Sequence, residues 1–394
     1  MLNKLLILFS FLLALVGGTG LYSLFPLLMN LSHLAGFLVF LWVVLQQYRY
    51  TGAESIKFEY DKCLVFFLYT CFLLAYCLRE ILVSSEYQFN AFGGTEGTLR
   101  QYADLFRGIV GFLIVGVTYR AVGNSKIFII LPLLCLVILL AGLFLESYGI
   151  IDFNVRDHKK YESLTTEGNL LQRPGGFLNA NMTAAIALIW LYITFESKSK
   201  APVIIKGLAL LITLAVCLLT QSRAAILFLT LYVVYKLIVL RNISFLVSVI
   251  FAGLLILLAA HYFELDFVKE LLDKFSSRAD SGEGSAQERS HVIVLAINSF
   301  FDAPIIGNGI FSVSKTIGRG VSSHNELLEV LANFGLIGFF MMSLLYWAFY
   351  HKSSFTYTSL CILPTLLFSH NFFETIGYQS ALAFAYFTDT NEEA

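Results

Sequence analysis

Long runs of apolar residues alternate along the chain with shorter polar segments. A helix that crosses the hydrocarbon core of a bilayer needs about 20 apolar residues. We therefore predict an all-α, polytopic integral membrane protein in which residues 1–394 form a single membrane domain. The pattern predicts about twelve spans, near residues 4–22, 31–48, 62–83, 103–122, 126–148, 180–195, 202–219, 225–240, 243–263, 327–349, 355–372 and 374–388.

Basic residues orient these predicted spans, because short cytoplasmic connections are enriched in Lys and Arg. If the N-terminus is cytoplasmic, every short inner connection contains Lys or Arg, for example Lys198 and Lys200 in one and Lys236 and Arg241 in another. Three larger polar segments then lie outside, at residues 84–102, 149–179 and 264–323. The last of these is predicted to be a large outer loop that contains short helices.

The composition narrows the class of protein. Charged residues make up 13% of the chain and hydrophobic residues 58%, whereas a soluble domain has about a quarter charged residues. The net charge of -1 provides no basic footprint for nucleic acid. All six cysteines lie in apolar stretches, which argues against a disulfide framework and against a cysteine-based metal site.

Arginine is concentrated in the outer part of this predicted topology. The planar guanidinium binds phosphate through two hydrogen bonds, so the excess favours an anionic substrate, although most of these residues also fit ordinary solvated loop charges. Arg223 differs from the others because "LLTQSRAAILF" places it between two apolar runs. A charge so close to hydrocarbon favours a functional role, with a side chain that only reaches to the interface as the alternative.

The outer loop contains a predicted amphipathic helix. Ser285 and Glu288 have the spacing of a capping box and predict a helix that begins there, with Arg289 in its first turns. Val292, Leu295, Ala296 and Ser299 would form one stripe, as in a helix that lies on a membrane surface; an ordinary surface helix is the alternative. Asp302-Ala-Pro304 and Gly307-Asn-Gly309 predict turns.

A second capping box precedes the predicted span near 327–349. In "SSHNELLEVLANFGLIG", Ser323 and Glu326 predict Ser323 as the N-cap and place His324 in the first helical turn. The positive end of the helix dipole disfavours imidazolium, and a neutral histidine can accept a proton as a general base does. A histidine that only caps or packs is the alternative.

Two glycines follow this histidine. Residues 324, 328, 331, 335 and 338 would share a helical face, on which Gly335 and Gly338 allow another helix to approach closely. His370-Asn371 also ends an apolar run, but Ala381 stands at the position that corresponds to Gly335. We therefore predict a structural role for His370.

Two absent motifs bear on the chemistry. The sequence contains no Asp-x-Asp pair, which many metal-dependent sugar transferases use, and no Gly-rich phosphate loop with Lys and Ser or Thr. Phosphate recognition is therefore expected to depend on arginines, without a metal and without ATP.

These motifs together resemble the O-antigen ligase and O-antigen polymerase superfamily of bacterial envelopes. The pattern His-Asn, nine residues, Gly, two residues, Gly is similar to the ligase signature. "QSRAA" around Arg223 resembles an arginine motif of the family, and Arg289 matches a second arginine in its large outer loop. "RPGGFLNANMTAA" is similar to a segment that precedes a span in both subfamilies, so the resemblance covers roughly residues 170–345.

The resemblance implies a metal-independent, inverting glycosyltransferase without a cofactor. Its donor would be a glycan on undecaprenyl diphosphate, and its active site would face the periplasm from the bacterial inner membrane. The acceptor would be lipid A-core for a ligase and another lipid-linked repeat unit for a polymerase. The implied catalytic residues are His324, Arg223 and Arg289, and the implied substrate-binding residues are Arg173, Asn181, Asn325 and Arg319.

Three functions remain to be compared. The complete His-Asn pattern and the twelve predicted spans favour the ligase, while the polymerase stays open because its members can share these motifs. A transporter or flippase of lipid-linked sugars would need charges that line a path near the bilayer midplane. The charged candidates gather on one side of this chain, which disfavours transport.

Overall fold

A computed structural model shows an all-α protein, as the sequence predicts. Within the part of the chain that it describes, the regular structure is helical and no strand occurs. The structure describes residues 2–21, 27, 31, 33–38, 68, 71, 72, 74–76, 78, 110, 111, 127–148, 150, 175–178, 180–196, 201–239, 241–262, 282–309, 312, 313 and 325–350.

Eight α-helices have defined bounds within these residues. Two π-helices accompany them, at Leu13–Gly17 and Tyr235–Val239. The α-helices are α1 (Leu2–Leu12), α2 (Ile127–Ser147), α3 (Ala180–Glu196), α4 (Val203–Leu219), α5 (Arg223–Val234), α6 (Ile243–Tyr262), α7 (Gly282–Asp302) and α8 (Glu326–Tyr350).

The apolar runs predict several of these helices closely. The bounds of α2, α3, α4 and α6 agree within one residue with the predicted spans 126–148, 180–195, 202–219 and 243–263. Two segments in the described residues are long and apolar enough to cross a membrane, Ile129–Ser147 and Glu326–Leu344. The number of twelve spans stays a prediction, and the predicted spans at 31–48, 62–83, 103–122, 355–372 and 374–388 lie largely or wholly outside the described residues.

The chain forms two compact units. The first contains Met1–Ser10, His33–Ala121 and Gly282–Ala394, and the second contains Phe11–Ser32 and Val122–Ser281.

Helix α3 is the core of the second unit. It packs against α2 and α4, and α4 packs against α6. Every residue from Ala184 to Ile193 is buried, as expected for a helix that is apolar on all sides. The indole nitrogen of Trp190 donates a 2.9 Å hydrogen bond to the carbonyl of Gly18. A Cβ at Gly18 would lie 2.5 Å from that ring, so the close approach requires glycine.

A buried ion pair joins the end of α3 to the π-helix that follows α5. Lys236 is 6% exposed, and its Nζ lies 2.5 and 2.7 Å from the two carboxylate oxygens of Glu196. The buried Tyr232 hydroxyl donates a 2.6 Å hydrogen bond to the same carboxylate. The carboxylate therefore compensates a cation that is almost completely removed from water.

We expect Glu196→Gln to destabilise the protein by about 3–5 kcal/mol, because Lys236 would keep its buried charge without the compensating anion. Thermal or denaturant unfolding in one detergent would measure the loss. The matched control is Glu196→Gln combined with Lys236→Met, which removes the unpaired charge and should recover most of the stability. If the single variant unfolds like the wild type, the pair does not contribute in this way.

In the first unit, α7 packs along the beginning of α8. Val292 and Ala296 are buried together with Val313 and Ala332, and Leu295 and Leu328 cover this cluster. The predicted stripe on α7 therefore exists, and it faces α8.

A second row of apolar residues on α7, formed by Val294, Ile297 and Phe301, is exposed. The prediction that α7 lies on a membrane surface stays a prediction. Helix α7 begins at Gly282, so the expectation of a helix start at Ser285 is wrong. A Ser and a Glu three residues apart are also neighbours inside a helix, so their spacing does not by itself mark the first turn.

Candidate active site

The His-Asn motif lies directly before α8. Asn325 Oδ1 accepts a 3.2 Å hydrogen bond from the backbone N–H of Leu328, which makes Asn325 the N-cap of a helix that begins at Glu326. The predictions of Ser323 as the N-cap and of His324 in the first turn are therefore wrong. Asn and Ser both cap well, and here the cap lies two residues after the predicted one. His324 itself is outside the described residues and immediately precedes the cap.

Two acidic residues, which are not among the predicted site residues, occupy the first turn of α8. Glu326 is 4% exposed and Glu329 is 7% exposed. Both make interactions within the protein, as buried carboxylates must. Their position at the helix N-terminus is favourable because of the dipole. The sequence signal was present, since two acids three residues apart open an otherwise apolar helix.

Helix α8 is broken at Gly335. This residue has φ 63° and ψ -162°, which is outside the helical region. In a continuous helix, the N–H groups of Leu336 and Ile337 would donate to the carbonyls of Ala332 and Asn333. The segment 304–309, which follows α7, enters the break and supplies partners for these four groups. The bonds are Leu336 N–H to Pro304 O (2.8 Å), Ile337 N–H to Ile305 O (3.1 Å), Asn308 N–H to Ala332 O (3.0 Å) and Gly309 N–H to Asn333 O (2.8 Å).

We call residues 304–309 and 332–337 together the splice. Glycine is required on both sides of it. Gly307 has φ +67°, and a Cβ there would overlap the backbone of Asn333. A Cβ at Gly335 would lie 2.5 Å from the carbonyl oxygen of Ile305. The predicted turns after α7 are present. However, the structure corrects the role of Gly335, because a loop approaches it rather than a helix.

Gly338 lies beyond the break. Residues 324–338 therefore do not share one continuous helical face, contrary to the prediction. A Cβ at Gly338 would overlap the side chain of Phe334 from its own helix and would lie 3.4 Å from the ring of Phe72.

Helix α7 and the first part of α8 run in the same direction, because both end at the splice. The C-terminal end of α7 leads into segment 304–309, and the half-helix Glu326–Phe334 ends at the same place. The two also pack along their sides through Ala296 and Ala332. The N-terminal ends of both helices therefore lie on the side away from the splice. The backbone of Arg289, in the first half of α7, and Asn325 consequently lie toward the same end of this packed pair.

Arg223 is the first residue of α5 and is exposed. Helix α4 ends at Leu219, with three residues between it and Arg223. The N–H of Gln221 donates to Leu218 O (3.0 Å), and the N–H of Ser222 donates to Cys217 O (3.3 Å). This is a Schellman cap, in which glycine usually supplies the positive φ. Here the buried Gln221 supplies it, with φ 50°. The reversal therefore uses three residues, Thr220 to Ser222, and places Arg223 at the turn.

A cation at this position does not stabilise the helix, because the N-terminal end of the helix dipole is positive. The guanidinium and the first N–H groups of α5 instead favour the same kind of ligand, an anion. A non-glycine residue with positive φ beside them is the kind of local strain that clusters at functional sites.

Glu146 binds the two glycines of the "RPGGFLNANMTAA" segment, and no motif in the sequence indicates this residue. Its Oε2 accepts hydrogen bonds from the N–H groups of Gly175 (2.6 Å) and Gly176 (2.5 Å). Thr183 donates to the carbonyl of Gly175. Arg173 precedes this anchored turn by two residues in the sequence and lies outside the described residues. The only sequence feature that indicates this contact with the glycine N–H groups is the location of Glu146 near the end of an apolar run.

The structure thus describes part of the predicted site. Asn181 lies half-buried in the first turn of α3, in the same unit as Arg223, while Arg289 and Asn325 belong to the other unit. Arg319 lies outside the described residues, like Arg173 and His324. In the described part of the chain, no three His, Cys, Asp or Glu residues are grouped so that they could hold a metal ion. Metal independence stays a prediction.

Comparison with known proteins shows a family similarity for the part of the chain that contains Arg223, Arg289 and the His-Asn motif. Residues 208–343 match the family model for O-antigen ligase. No curated protein matches the chain. The matched segment includes Arg223, Arg289, His324 and Asn325, whereas Arg173 and Asn181 precede it. The resemblance inferred from the motifs is confirmed: the match over residues 208–343 supports the O-antigen ligase and polymerase superfamily for this chain.

Proposed function

We propose that this protein is an O-antigen ligase. It transfers a glycan from undecaprenyl diphosphate to lipid A-core at the periplasmic face of the inner membrane, by a metal-independent and inverting reaction. The observation that carries the proposal is the family match over residues 208–343, which contains both arginines and the His-Asn motif. The family supports ligase-type or polymerase-type transfer in general, and the complete His-Asn pattern favours the ligase.

In this proposal, the arginines stabilise the diphosphate leaving group. As the bond between the anomeric carbon and the diphosphate breaks, negative charge develops on the diphosphate oxygens. Fixed positive groups in a poorly hydrated site stabilise that charge. Arg223 suits this role because it is exposed at the N-terminal end of α5, where backbone N–H groups favour the same anion. Arg289 supplies the second guanidinium.

In this proposal, His324 acts on the acceptor hydroxyl. The acceptor oxygen attacks the anomeric carbon from the face opposite the diphosphate, the glycosidic bond to the diphosphate breaks, and undecaprenyl diphosphate leaves. The hydroxyl proton passes to a ring nitrogen of His324, or the ring orients the hydroxyl for attack. The common direction of α7 and the first half of α8 supports a joint role for Arg289 and the His-Asn motif.

The substrate-binding residues in this proposal are Arg173, Asn181, Asn325 and Arg319. Asn325 also caps α8, so its substitution is expected to weaken the helix start as well as substrate binding. Glu146 anchors the turn at Gly175 and Gly176, which follows Arg173 in the sequence.

Lipopolysaccharide banding from a deletion strain tests the ligase against the polymerase. Loss of a ligase removes the capping glycan from lipid A-core while long lipid-linked polymer accumulates. Loss of a polymerase leaves lipopolysaccharide that carries a single repeat unit, and this result would assign the alternative function. An unchanged pattern in a strain that normally makes capped lipopolysaccharide would contradict both.

We expect Arg223→Lys to reduce transfer about 10²-fold while membrane expression persists, because Lys keeps the charge but not the planar two-bond geometry. Transfer rates normalised to the protein level in membranes measure the effect. Arg241→Lys is the control, since Arg241 is exposed on the predicted cytoplasmic side. Wild-type turnover in Arg223→Lys would mean that Arg223 only anchors the helix at the membrane interface.

A further inference from the structure

Tyr76 contacts both segments of the splice, although it belongs to neither of them. Its side chain is buried, with 7% exposed. Its hydroxyl contacts the carbonyl oxygens of Ile306, in the inserted loop, and Phe334, at 3.1 Å in α8. The ring lies edge-on to Phe334 with centroids 5.1 Å apart. A hydroxyl has one proton, so it donates to one of these carbonyls at a time and packs against the other, and in either case it lies between the two segments of the splice.

The first half of α8 depends on such contacts for its direction. Gly335 interrupts the helix, so helical continuity does not fix Glu326–Phe334 relative to Leu336–Tyr350. The four backbone bonds of the splice do so, with help from Asn333, whose Oδ1 accepts bonds from the N–H (3.2 Å) and hydroxyl (2.9 Å) of Ser312. Tyr76 adds a side-chain contact to both partners at the break.

A small rotation at the break has a large effect at the motif. The eight residue steps from Asn333 back to Asn325 span about 12 Å, so a tilt of about 5° moves Asn325 by about 1 Å. A displacement of this size can cost about 10²-fold in rate when it misplaces a reacting group.

We propose that Tyr76 is a positioning residue for the transfer reaction: its hydroxyl, held between Ile306 and Phe334, sets the direction of the half-helix and so the location of the His324-Asn325 motif. This inference rests on the proposed function. It assigns Tyr76 no contact with substrate and predicts an effect on the rate of transfer rather than on donor binding.

The variant Tyr76→Phe tests this role because it keeps the ring and removes the hydroxyl. The substrates are undecaprenyl-diphosphate-linked glycan extracted from the deletion strain and purified lipid A-core. At saturating donor, we expect kcat to fall about tenfold, with the donor KM within about twofold of wild type. Hydrogen exchange of the amides in residues 304–309 and 332–337 should become faster, since the splice loses one of its contacts.

Tyr148→Phe is the matched control, because it removes the hydroxyl of an exposed tyrosine just after α2. It should leave kcat, KM and amide exchange unchanged. A wild-type kcat in Tyr76→Phe, unchanged exchange across the splice, or a loss confined to donor KM would each overturn the inference. Absence of transfer by the wild-type protein would overturn the proposed function as well, and this failure is visible without any Tyr76 variant.

Discussion

Gly335→Ala should abolish most transfer and lower the unfolding temperature, although the change adds one methyl group. The backbone at this position has φ 63° and ψ -162°, a region that is open essentially only to glycine and costs other residues about 1–3 kcal/mol. The new Cβ would also lie 2.5 Å from the carbonyl oxygen of Ile305. The loop must then move away, and the four backbone bonds of the splice weaken together. Transfer rate and thermal unfolding in one detergent measure both effects.

The chain provides a control for this glycine. Gly253 lies within α6, and a Cβ there would have no heavy atom within 4 Å. Because alanine favours a helix over glycine by up to about 1 kcal/mol, Gly253→Ala should keep wild-type activity and equal or higher stability. If both variants transferred and unfolded alike, the break at Gly335 would not hold the inserted loop.

The helices of this protein follow from apolar run length, and so the sequence predicts many of them well. The predicted bounds of α2, α3, α4 and α6 agree with the structure within one residue. Helix α3 is buried without interruption from Thr183 to Thr194, and its apolar run stops at Glu196, its last residue. The local pattern therefore specifies these helices before any packing is known.

The splice could not be predicted in the same way, because it depends on two segments that are distant in the sequence. "APIIGNG" after α7 and "ANFGLIG" in α8 each contain paired glycines among apolar residues. Such pairs indicate close approach, but they do not reveal whether a helix or a loop approaches. The N-cap of α8 shows a related limit of local patterns. Ser323 and Asn325 both suit a cap, and only the bond from Asn325 to Leu328 in the folded chain distinguishes them.

In the candidate site, too, some features follow from local sequence and others from contacts between distant segments. The motifs indicate residue types, and the family match includes Arg223, Arg289 and the His-Asn pair. Local structure then adds what the motifs lack, such as the N-terminal location of Arg223 on α5 and the two buried acids in the first turn of α8. Glu146 and Tyr76 act on backbone groups of distant segments, so they have no sequence signature of their own.

His324→Ala should stop transfer to the acceptor while it leaves donor binding nearly intact. Loss of a general base typically costs about 10²–10⁴-fold in rate, and diphosphate recognition belongs to the arginines in the proposed mechanism. His324 precedes the N-cap, so its Cα is about 3.8 Å from that of Asn325. The same covalent link explains why substitutions at Tyr76 and Gly335 should reduce the transfer step in which we propose that His324 acts.

His370→Ala is the matched comparison, because His370-Asn371 repeats the dipeptide but has Ala381 at the position that corresponds to Gly335. This variant should be far milder than His324→Ala. Donor affinity and transfer rate for both variants, measured in the same detergent and normalised to folded protein, separate the two roles. A catalytic His324 requires a lost transfer rate with retained donor affinity in that variant alone. If His324→Ala transfers normally, or if the two histidine variants behave alike, His324 is a structural residue beside the cap of α8 and another group must take the acceptor proton.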